Sequence, residues 1–220
     1  VECYSQLSSF IRKEGIQCIN ANHDTCAYET LTSSEITDDI LDINRYLYRY
    51  KSLIEKFKQN NSKKIANFIL KKPNTKYTIV NDKEYVYLDI KQITTPIYKK
   101  ENILYGYELP GRAKISVKKY DILVSKLKGK ITFTIILDDA TNIICTNGLT
   151  ILRPLNYDSA ILILANLFTQ EFKIQHNSLC TGSIMETISD EDIKNIYINE
   201  HIEVDKYENI IKALTVINNL

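Results

Sequence analysis

A short apolar run lies between lysines in the stretch Lys118-Lys119-Tyr120-Asp121-Ile122-Leu123-Val124-Ser125-Lys126-Leu127-Lys128-Gly129-Lys130. Its β-branched and aliphatic residues predict a strand over 122–127, because such side chains suit a pleated, buried surface. The sequence Lys128-Gly129-Lys130 predicts a turn that ends this strand. The same stretch closes the most basic part of the chain, so it bears on function as well as on fold.

Charge is unevenly distributed along the 220 residues, although the whole chain carries a net charge of only +1. Positions 1–50 contain 4 Lys and Arg against 8 Asp and Glu, positions 51–130 contain 19 against 7, and positions 131–220 contain 5 against 12. The central segment therefore has a net charge of +12. A segment this basic attracts polyanions and releases counterions when it binds them. A lysine-rich surface from an A/T-biased genome is the alternative, but bias alone would spread lysine evenly.

Short runs of β-branched and aromatic residues predict further strands between Lys63 and Leu155. Turn signals such as Pro110-Gly111 and Asn147-Gly148 separate them. The predicted strands are 77–80, 85–90, 115–117, 122–127, 131–137 and 149–152.

Helices are predicted on both sides of this region. Apolar residues recur at spacings of four and three from Ile36 to Phe57, which predicts an amphipathic helix of about six turns. Asp158-Ser159 predicts the start of a helix that runs to about Phe172, and Ser189 predicts the start of a short capped helix. A last amphipathic helix is indicated by Tyr207, Ile211, Leu214 and Ile217. The chain is therefore predicted to be α+β, with a β-rich domain and flanking amphipathic helices.

Four motifs follow one another along the chain: Tyr85–Ile90, Asp121-Ile122-Leu123-Val124-Ser125 with Lys126 and Gly129 after it, the segment from Cys145 to Pro154, and Gly182-Ser183-Ile184 followed by Ile188–Ile198. In this order they resemble segments of the target recognition domain of type I restriction specificity subunits. The first resembles its first core strand, and the second resembles a further strand. The resemblance covers about positions 63–220. It implies a mainly helical lead-in at 1–60, a target recognition domain at 61–198 and the start of a connecting helix at 199–220.

The resemblance also implies a function. Specificity subunits join two such domains through long helices, read a split DNA site and position methylation and cleavage subunits without catalysing a reaction. The implied partners are double-stranded DNA and an adenine methyltransferase subunit or domain, with a nuclease subunit or a second copy of the chain as further candidates. The chain could be a fragment, a half-sized specificity subunit or the recognition part of a fused methyltransferase. The helical stretch before position 58 favours the last of these.

Residue types that hold a duplex occur in the loops between the predicted strands. Lys and Arg bind phosphates, and Arg, Lys, Asn, Gln, Ser and Thr read base edges. The predicted DNA-binding residues are Lys99, Lys100, Arg112, Lys114, Lys118, Lys119, Lys126, Lys128, Lys130 and Asn147.

The sequence carries no recognisable catalytic motif. None of the 4 prolines lies in an Asn-Pro-Pro-Tyr or Asp-Pro-Pro-Tyr motif, and no Gly-rich loop suits a nucleotide or S-adenosylmethionine. Asp89-Ile90-Lys91 and Asp192-Ile193-Lys194 match part of a nuclease motif, but such triplets are common in a Lys- and Asp-rich chain. We therefore expect no enzymatic activity, no cofactor and no catalytic residue.

Neither a metal site nor a membrane span is expected. Cys3, Cys18, His23 and Cys26 could supply four zinc ligands, but they lack paired knuckles of the Cys-x2-Cys type. The odd number of cysteines, 5, with irregular spacing is typical of reduced cytoplasmic thiols. The longest apolar run, 161–168, is shorter than the ~20 residues that cross a bilayer. A cytoplasmic location is therefore expected.

A second function class stays open. The amphipathic helices at 36–58 and 205–220 could make the chain a protein-interaction or scaffold module, with the basic segment incidental.

Overall fold

The computed structural model describes residues 48–73, 75, 77–139 and 142–218, without the side chains of Tyr48, Lys114, Ile210 and residues 213–218. Within these residues the chain forms helices and strands in an α+β arrangement, as predicted from sequence. In chain order they are α1 (Tyr48–Gln59), β1 (Glu84–Leu88), β2 (Ile93–Thr94), β3 (Ile97–Tyr98), β4 (Ile103–Tyr105), β5 (Ala113–Ser116), β6 (Ile122–Ser125), β7 (Phe133–Ile135), β8 (Ile143–Thr146), β9 (Leu149–Leu152), α2 (Tyr157–Leu167), α3 (Gln170–Leu179), α4 (Asp190–Lys194) and α5 (Asp205–Asn218).

Two sheets form the centre of the domain. The first has the strand order β4-β1-β8-β5, and the second has the order β7-β6-β9. β1 and β8 pair in parallel, whereas β6 is antiparallel to both of its neighbours, with Ile122 opposite Ile135 in β7 and Leu152 in β9. Every residue of β6 is buried, as expected for the central strand of a covered sheet. The small hairpin of β2 and β3 packs against β7.

The helices cover the β7-β6-β9 sheet and share one apolar core with it. α2 has aliphatic residues on most of its faces and is buried along nearly its whole length, as a helix enclosed by protein must be. Thr169 caps the start of α3, because its hydroxyl accepts a hydrogen bond from the Phe172 amide, and Ser189 caps α4 in the same way by accepting from the Asp192 amide. The core joins Ile122 and Val124 of β6 to Leu164 of α2 and Phe172 of α3.

A buried ion pair joins the start of β6 to the end of β9. The Arg153 guanidinium donates to both carboxylate oxygens of Asp121, at 2.8 Å from Nε and 2.7 Å from Nη2. The Asp121 side chain is fully buried, and its second oxygen also accepts a hydrogen bond from the Lys118 amide. Asp121 precedes β6 and Arg153 follows β9, so the pair sets the register of these strands.

Several sequence predictions differ from the structure in detail. No strand forms at 77–80, where the backbone runs as a loop. The helix predicted from Asp158-Ser159 to Phe172 is two helices, because Thr169 caps a new one, and the first is capped by Asn156 instead. β8 was not predicted. It is a run of only four residues directly before the Asn147-Gly148 turn.

The described parts of the two amphipathic helices pack on the domain itself. Phe57 of α1 is buried and stacks on Tyr197 at 5.9 Å between ring centroids. Ile211 of α5 is buried in the core, and Tyr207 contacts Phe168 at 5.5 Å. Positions 36–47 of the predicted first helix lie outside the described residues. The domain boundaries at 61 and 198 stay a prediction.

The described residues bear on the metal site and the membrane span that were considered from the sequence. The cysteines and the histidine considered for zinc all lie before residue 48 and are outside the described part. In the residues that the structure describes, no group of three or more His, Cys, Asp and Glu is placed to hold a metal ion. Among the described helices, none is both long and apolar enough to cross a bilayer.

The buried ion pair predicts the effect of Asp121→Asn on stability. The substitution keeps the shape of the side chain but leaves the Arg153 charge buried without its counterion. We expect a loss of about 3 kcal/mol in the free energy of unfolding, measured by urea denaturation. The control is Asp139→Asn, whose carboxylate is 86% exposed and pairs with Lys119 at 3.5 Å, and which should cost under ~1 kcal/mol. Equal losses in the two variants would contradict the role of the pair.

A buried histidine predicts how stability changes with pH. His176 is fully buried, and its Nε2 donates a hydrogen bond to the Ser125 carbonyl at 3.0 Å. Burial lowers the pKa of His176 below its ordinary value, so the unfolded chain binds a proton that the folded chain resists. Stability should therefore be full above pH ~6.5 and fall below it by up to ~1.4 kcal/mol per pH unit.

Urea unfolding between pH 7.5 and 5.5 checks this dependence. His176→Gln should flatten the profile over this range, because the titrating group is gone. His201→Gln is the matched control, since His201 is exposed, and it should retain the fall. A profile that is unchanged by His176→Gln would show that another group controls the pH dependence.

Candidate nucleic-acid interface

The predicted DNA-binding residues fall into two groups at opposite ends of β6. A four-residue strand such as β6 is about 13 Å long. The group after its last residue, here named the Arg112 rim, consists of Arg112, Asn147, Lys126, Lys128 and Lys130. The group before its first residue, named the β6 start group, consists of Lys99, Lys100, Lys118 and Lys119. Lys114 lies in β5, and its side chain is not described.

Backbone hydrogen bonds join the members of the Arg112 rim into one continuous edge. The Asn147 amide donates to the Arg112 carbonyl at 3.0 Å, and the Lys126 amide donates to the Gly148 carbonyl at 3.1 Å. The corner at Asn147-Gly148 leads directly from β8 in one sheet to β9 in the other. The rim therefore lies where the two sheets meet.

Arg112 is exposed but held in one orientation. Its Nη2 donates to Asp89 at 2.6 Å, and its Nε donates to the Tyr87 hydroxyl at 3.1 Å. The hydrogen bond with Tyr87 and the charge of Asp89 together raise the pKa of Arg112. The Asp89 carboxylate is itself fixed, because it accepts a hydrogen bond from the Ile90 amide at 2.7 Å. The guanidinium therefore lies at a fixed position on the protein surface, directly beyond the end of β1.

These two bonds occupy one edge of the guanidinium. Nε and Nη2 form its side edge, which faces Tyr87 and Asp89. The end edge, formed by one N–H from each terminal nitrogen, is left to point away from these partners. Two parallel donors of this kind match paired acceptors such as those of a carboxylate, a phosphate or guanine.

The lysine turn after β6 is tight and well supported. Gly129 has a φ of +77°, which glycine adopts without strain, and its amide donates to Asn177 at 2.9 Å. The Ser125 hydroxyl donates to the Lys130 carbonyl at 3.0 Å and accepts from the Thr132 amide at 3.1 Å. Ser125, the last residue of the motif strand, thus closes the turn that carries the lysines.

Two of these lysines are paired with carboxylates, and one is not. Lys126 lies 2.9 Å from Asp190, and Lys128 lies 2.6 Å from Glu186. Lys130 is exposed and has no ion pair with any residue in the described part of the chain. The rim has four cations against the three carboxylates that pair with them, since Arg112 is paired with Asp89.

Three lysines that the sequence reasoning missed extend the positive charge of the rim. Lys71, Lys72 and Lys194 line a surface cavity of about 260 Å³ together with Asp190, the partner of Lys126. With them, and with Glu191 and Asp192 of α4 beside Lys194, the count becomes seven cations against five carboxylates. Lys71-Lys72 belongs to the basic central segment, which was a usable signal. Lys194 is distant in sequence, and no local pattern could have found it.

The β6 start group has the same excess of one positive charge as the five residues of the rim. Lys100 pairs with Asp138 at 2.7 Å, Lys119 pairs with Asp139 at 3.5 Å, and Lys99 approaches Glu101 at 3.7 Å. Four lysines thus face three carboxylates. Burial is the main cause that raises the pKa of the neighbouring Tyr98, whose hydroxyl bonds to Asp138.

Four tyrosines that lie near the predicted DNA-binding residues in sequence, Tyr98, Tyr105, Tyr107 and Tyr120, do not join the rim. Tyr98 is buried, and Tyr120 packs edge-on against Tyr157. Tyr105 and Tyr107 are exposed and stacked, but Tyr105 pairs with Glu84 at the start of β1, whereas Asp89 and Arg112 lie beyond its end.

Comparison with known proteins identifies the fold. No protein-family model and no curated protein matches this sequence. A chain in a structure of the complex assembly and conformational transition of the type I R-M system matches with a TM-score of 0.55 and 15% identity, over 71% of this chain and 42% of that one. The HsdS subunit from Thermoanaerobacter tengcongensis matches with a TM-score of 0.51 and 15% identity, over 70% of this chain and 41% of that one.

These matches confirm the resemblance seen in the sequence at the level of the fold. The described domain has the fold found in an HsdS subunit and in a type I R-M structure. This chain spans about two fifths of the length of the chains that it matches, 42% and 41%.

Proposed function

We propose that this chain recognises a specific sequence in double-stranded DNA as a module of a restriction-modification assembly, with the Arg112 rim as the edge that contacts the duplex. The observation that carries the proposal is the rim itself. It brings a fixed arginine, the exposed side-chain carboxamide of Asn147 and a cluster of lysines onto one edge of the domain. The fold of this domain is similar to that of an HsdS subunit.

The rim offers both kinds of contact that sequence recognition needs. Lys126, Lys128 and Lys130 suit phosphates, which fix position and carry no sequence information. The end edge of Arg112 suits the two acceptors of guanine in the major groove, and the amide of Asn147 suits the donor and acceptor of adenine. The lysines would thus hold the duplex while Arg112 and Asn147 read it.

We further infer that the module acts without catalysis of its own. It would direct an adenine methyltransferase, as a separate subunit or a domain of the same chain, with a nuclease subunit or a second copy as further partners in the cytoplasm. Both Asp-x-Lys triplets have other tasks. Asp89 holds Arg112, and the Ser189 hydroxyl bonds to the Asp192 carboxylate at 2.8 Å at the start of α4.

Two charge-matched variants test where the duplex binds. The triple variant Lys126→Gln, Lys128→Gln, Lys130→Gln removes three charges from the rim. The control Lys99→Gln, Lys100→Gln, Lys119→Gln removes three charges from the β6 start group. We expect the rim variant to lose about one to three units from the slope of log K against log salt, because Lys130 can bind a phosphate directly whereas Lys126 and Lys128 must first leave a carboxylate. The control should keep the slope of the unsubstituted chain.

Fluorescence anisotropy with labelled duplexes at several salt concentrations measures both slopes. Equal loss in the two variants would assign binding to general charge and contradict the rim as the interface. Absence of duplex binding by the unsubstituted, folded chain, alone and with a methyltransferase partner, would contradict the function itself.

Substitution of Arg112 separates reading from holding. Arg112→Lys keeps the positive charge but cannot make two parallel hydrogen bonds from one plane. Among duplexes selected from a random pool, we expect this variant to relax the preference at one base pair, at a cost of about 1–3 kcal/mol there. Lys130→Gln should weaken all sequences alike. A sequence preference that is unchanged in Arg112→Lys would exclude Arg112 as a reader.

A further inference from the structure

Two neighbouring apolar side chains project into solvent beside the Arg112 rim. Ile184 is 100% exposed and Met185 is 66% exposed, more than any other large apolar residue in the described part of the chain. Single exposed apolar residues are common and need no explanation. Two adjacent ones at the tip of a loop form a feature that a partner can bury.

The loop that carries them is closed by a short ladder of hydrogen bonds. Thr181 and Thr187 exchange two backbone hydrogen bonds, each 2.9 Å long. Gly182 has a φ of +128°, and a Cβ at this position would lie 2.5 Å from the Met185 carbonyl oxygen. Only glycine fits there, so the turn is narrow and its tip is held out from the domain.

The base of the loop is attached to the lysine turn of the rim. The Ile188 amide donates to the Lys126 carbonyl at 2.9 Å, and the Lys128 amide donates to the Glu186 carbonyl at 3.1 Å. The Lys128 ammonium also pairs with the Glu186 carboxylate at 2.6 Å, so the acid nearest the tip is neutralised. The base of the loop is therefore fixed relative to Lys126 and Lys128.

An apolar tip beside the lysine turn indicates the kind of partner. A protein surface that buried Ile184 and Met185 would also have to desolvate the neighbouring lysines. A duplex has the complementary arrangement, with phosphates on the outside and stacked apolar base faces within. Apolar side chains such as Ile and Met are known to enter grooves and part base steps when cations hold the backbone on either side.

We propose that Ile184 and Met185 form a wedge that enters a groove of the bound duplex, unstacks one base step and bends the DNA. The proposal rests on the proposed function, because it needs the rim to hold the duplex. It adds a kind of recognition that the rim lacks: a preference for base steps that unstack readily, such as TA and CA, without a hydrogen bond to any base.

The test uses duplexes selected from a random pool by the 220-residue chain. They carry 2-aminopurine at successive positions, whose fluorescence rises on unstacking, and a dye pair at the ends to report bending. The variant is Ile184→Ser with Met185→Ser. The matched control is Val80→Ser with Ile103→Ser, which removes two apolar side chains that are 54% and 56% exposed elsewhere on the surface. Thermal melting of both variants checks that they fold.

We expect the unsubstituted chain to raise the fluorescence at one step and to shorten the end-to-end distance. The wedge variant should lose both signals while binding the duplex about tenfold more weakly, because the phosphate contacts remain. The control should behave as the unsubstituted chain.

The outcomes separate the two proposals. Duplex binding without unstacking at any position, or with unstacking that persists in the wedge variant, overturns the wedge and leaves the proposed function intact. Normal unstacking together with lost binding to a methyltransferase partner would assign the tip to a protein contact, which also overturns the wedge. Failure to select any duplex overturns both.

Discussion

The ion pair between Asp121 and Arg153 is the contact on which the arrangement of this domain depends. It connects the residue before β6 to the residue after β9, and it is buried, so neither charge has water as a substitute partner. The Arg153 carbonyl accepts a hydrogen bond from the Leu70 amide at 2.9 Å, which attaches the segment between α1 and β1 to the same point. The ion pair and this backbone hydrogen bond together connect three separate stretches of chain.

Because the pair fixes the start of β6, the position of the last residue of this four-residue strand is fixed as well. Ser125 occupies that end and bonds to both sides of the lysine turn, to the Lys130 carbonyl and the Thr132 amide. Its carbonyl accepts from the fully buried His176, so α3 supports the same point from below the sheet. Two polar residues of the motif strand, Asp121 and Ser125, thus have structural tasks. Both residues form hydrogen bonds within the domain, and these bonds explain why they belong to the motif without any contact to a ligand.

The sequence predicted the parts of this domain that depend on local patterns. β-branched runs located β6 and β9, and the Ser189 cap was correct, because these signals are contained within a few neighbouring residues. The division of the basic residues was not predicted. Lys119 and Lys126 belong to one short stretch of sequence, but the strand between them places them at opposite ends of a sheet. Lys194 lies more than sixty residues from every cation of the rim in sequence, and no local pattern brings them together.

The carboxylates in the rim bear on how it would discriminate among duplexes. Asp190 and Glu186 hold Lys126 and Lys128 at 2.9 Å and 2.6 Å, so a phosphate must replace a carboxylate before it gains either lysine. This exchange offsets much of the attraction that makes basic surfaces bind any DNA. Arg112 keeps Asp89 while its end edge stays available, so a base contact adds to the existing bond without replacing it. A rim built in this way gains little from phosphates alone and more from a matched base, which is the balance that sequence recognition requires.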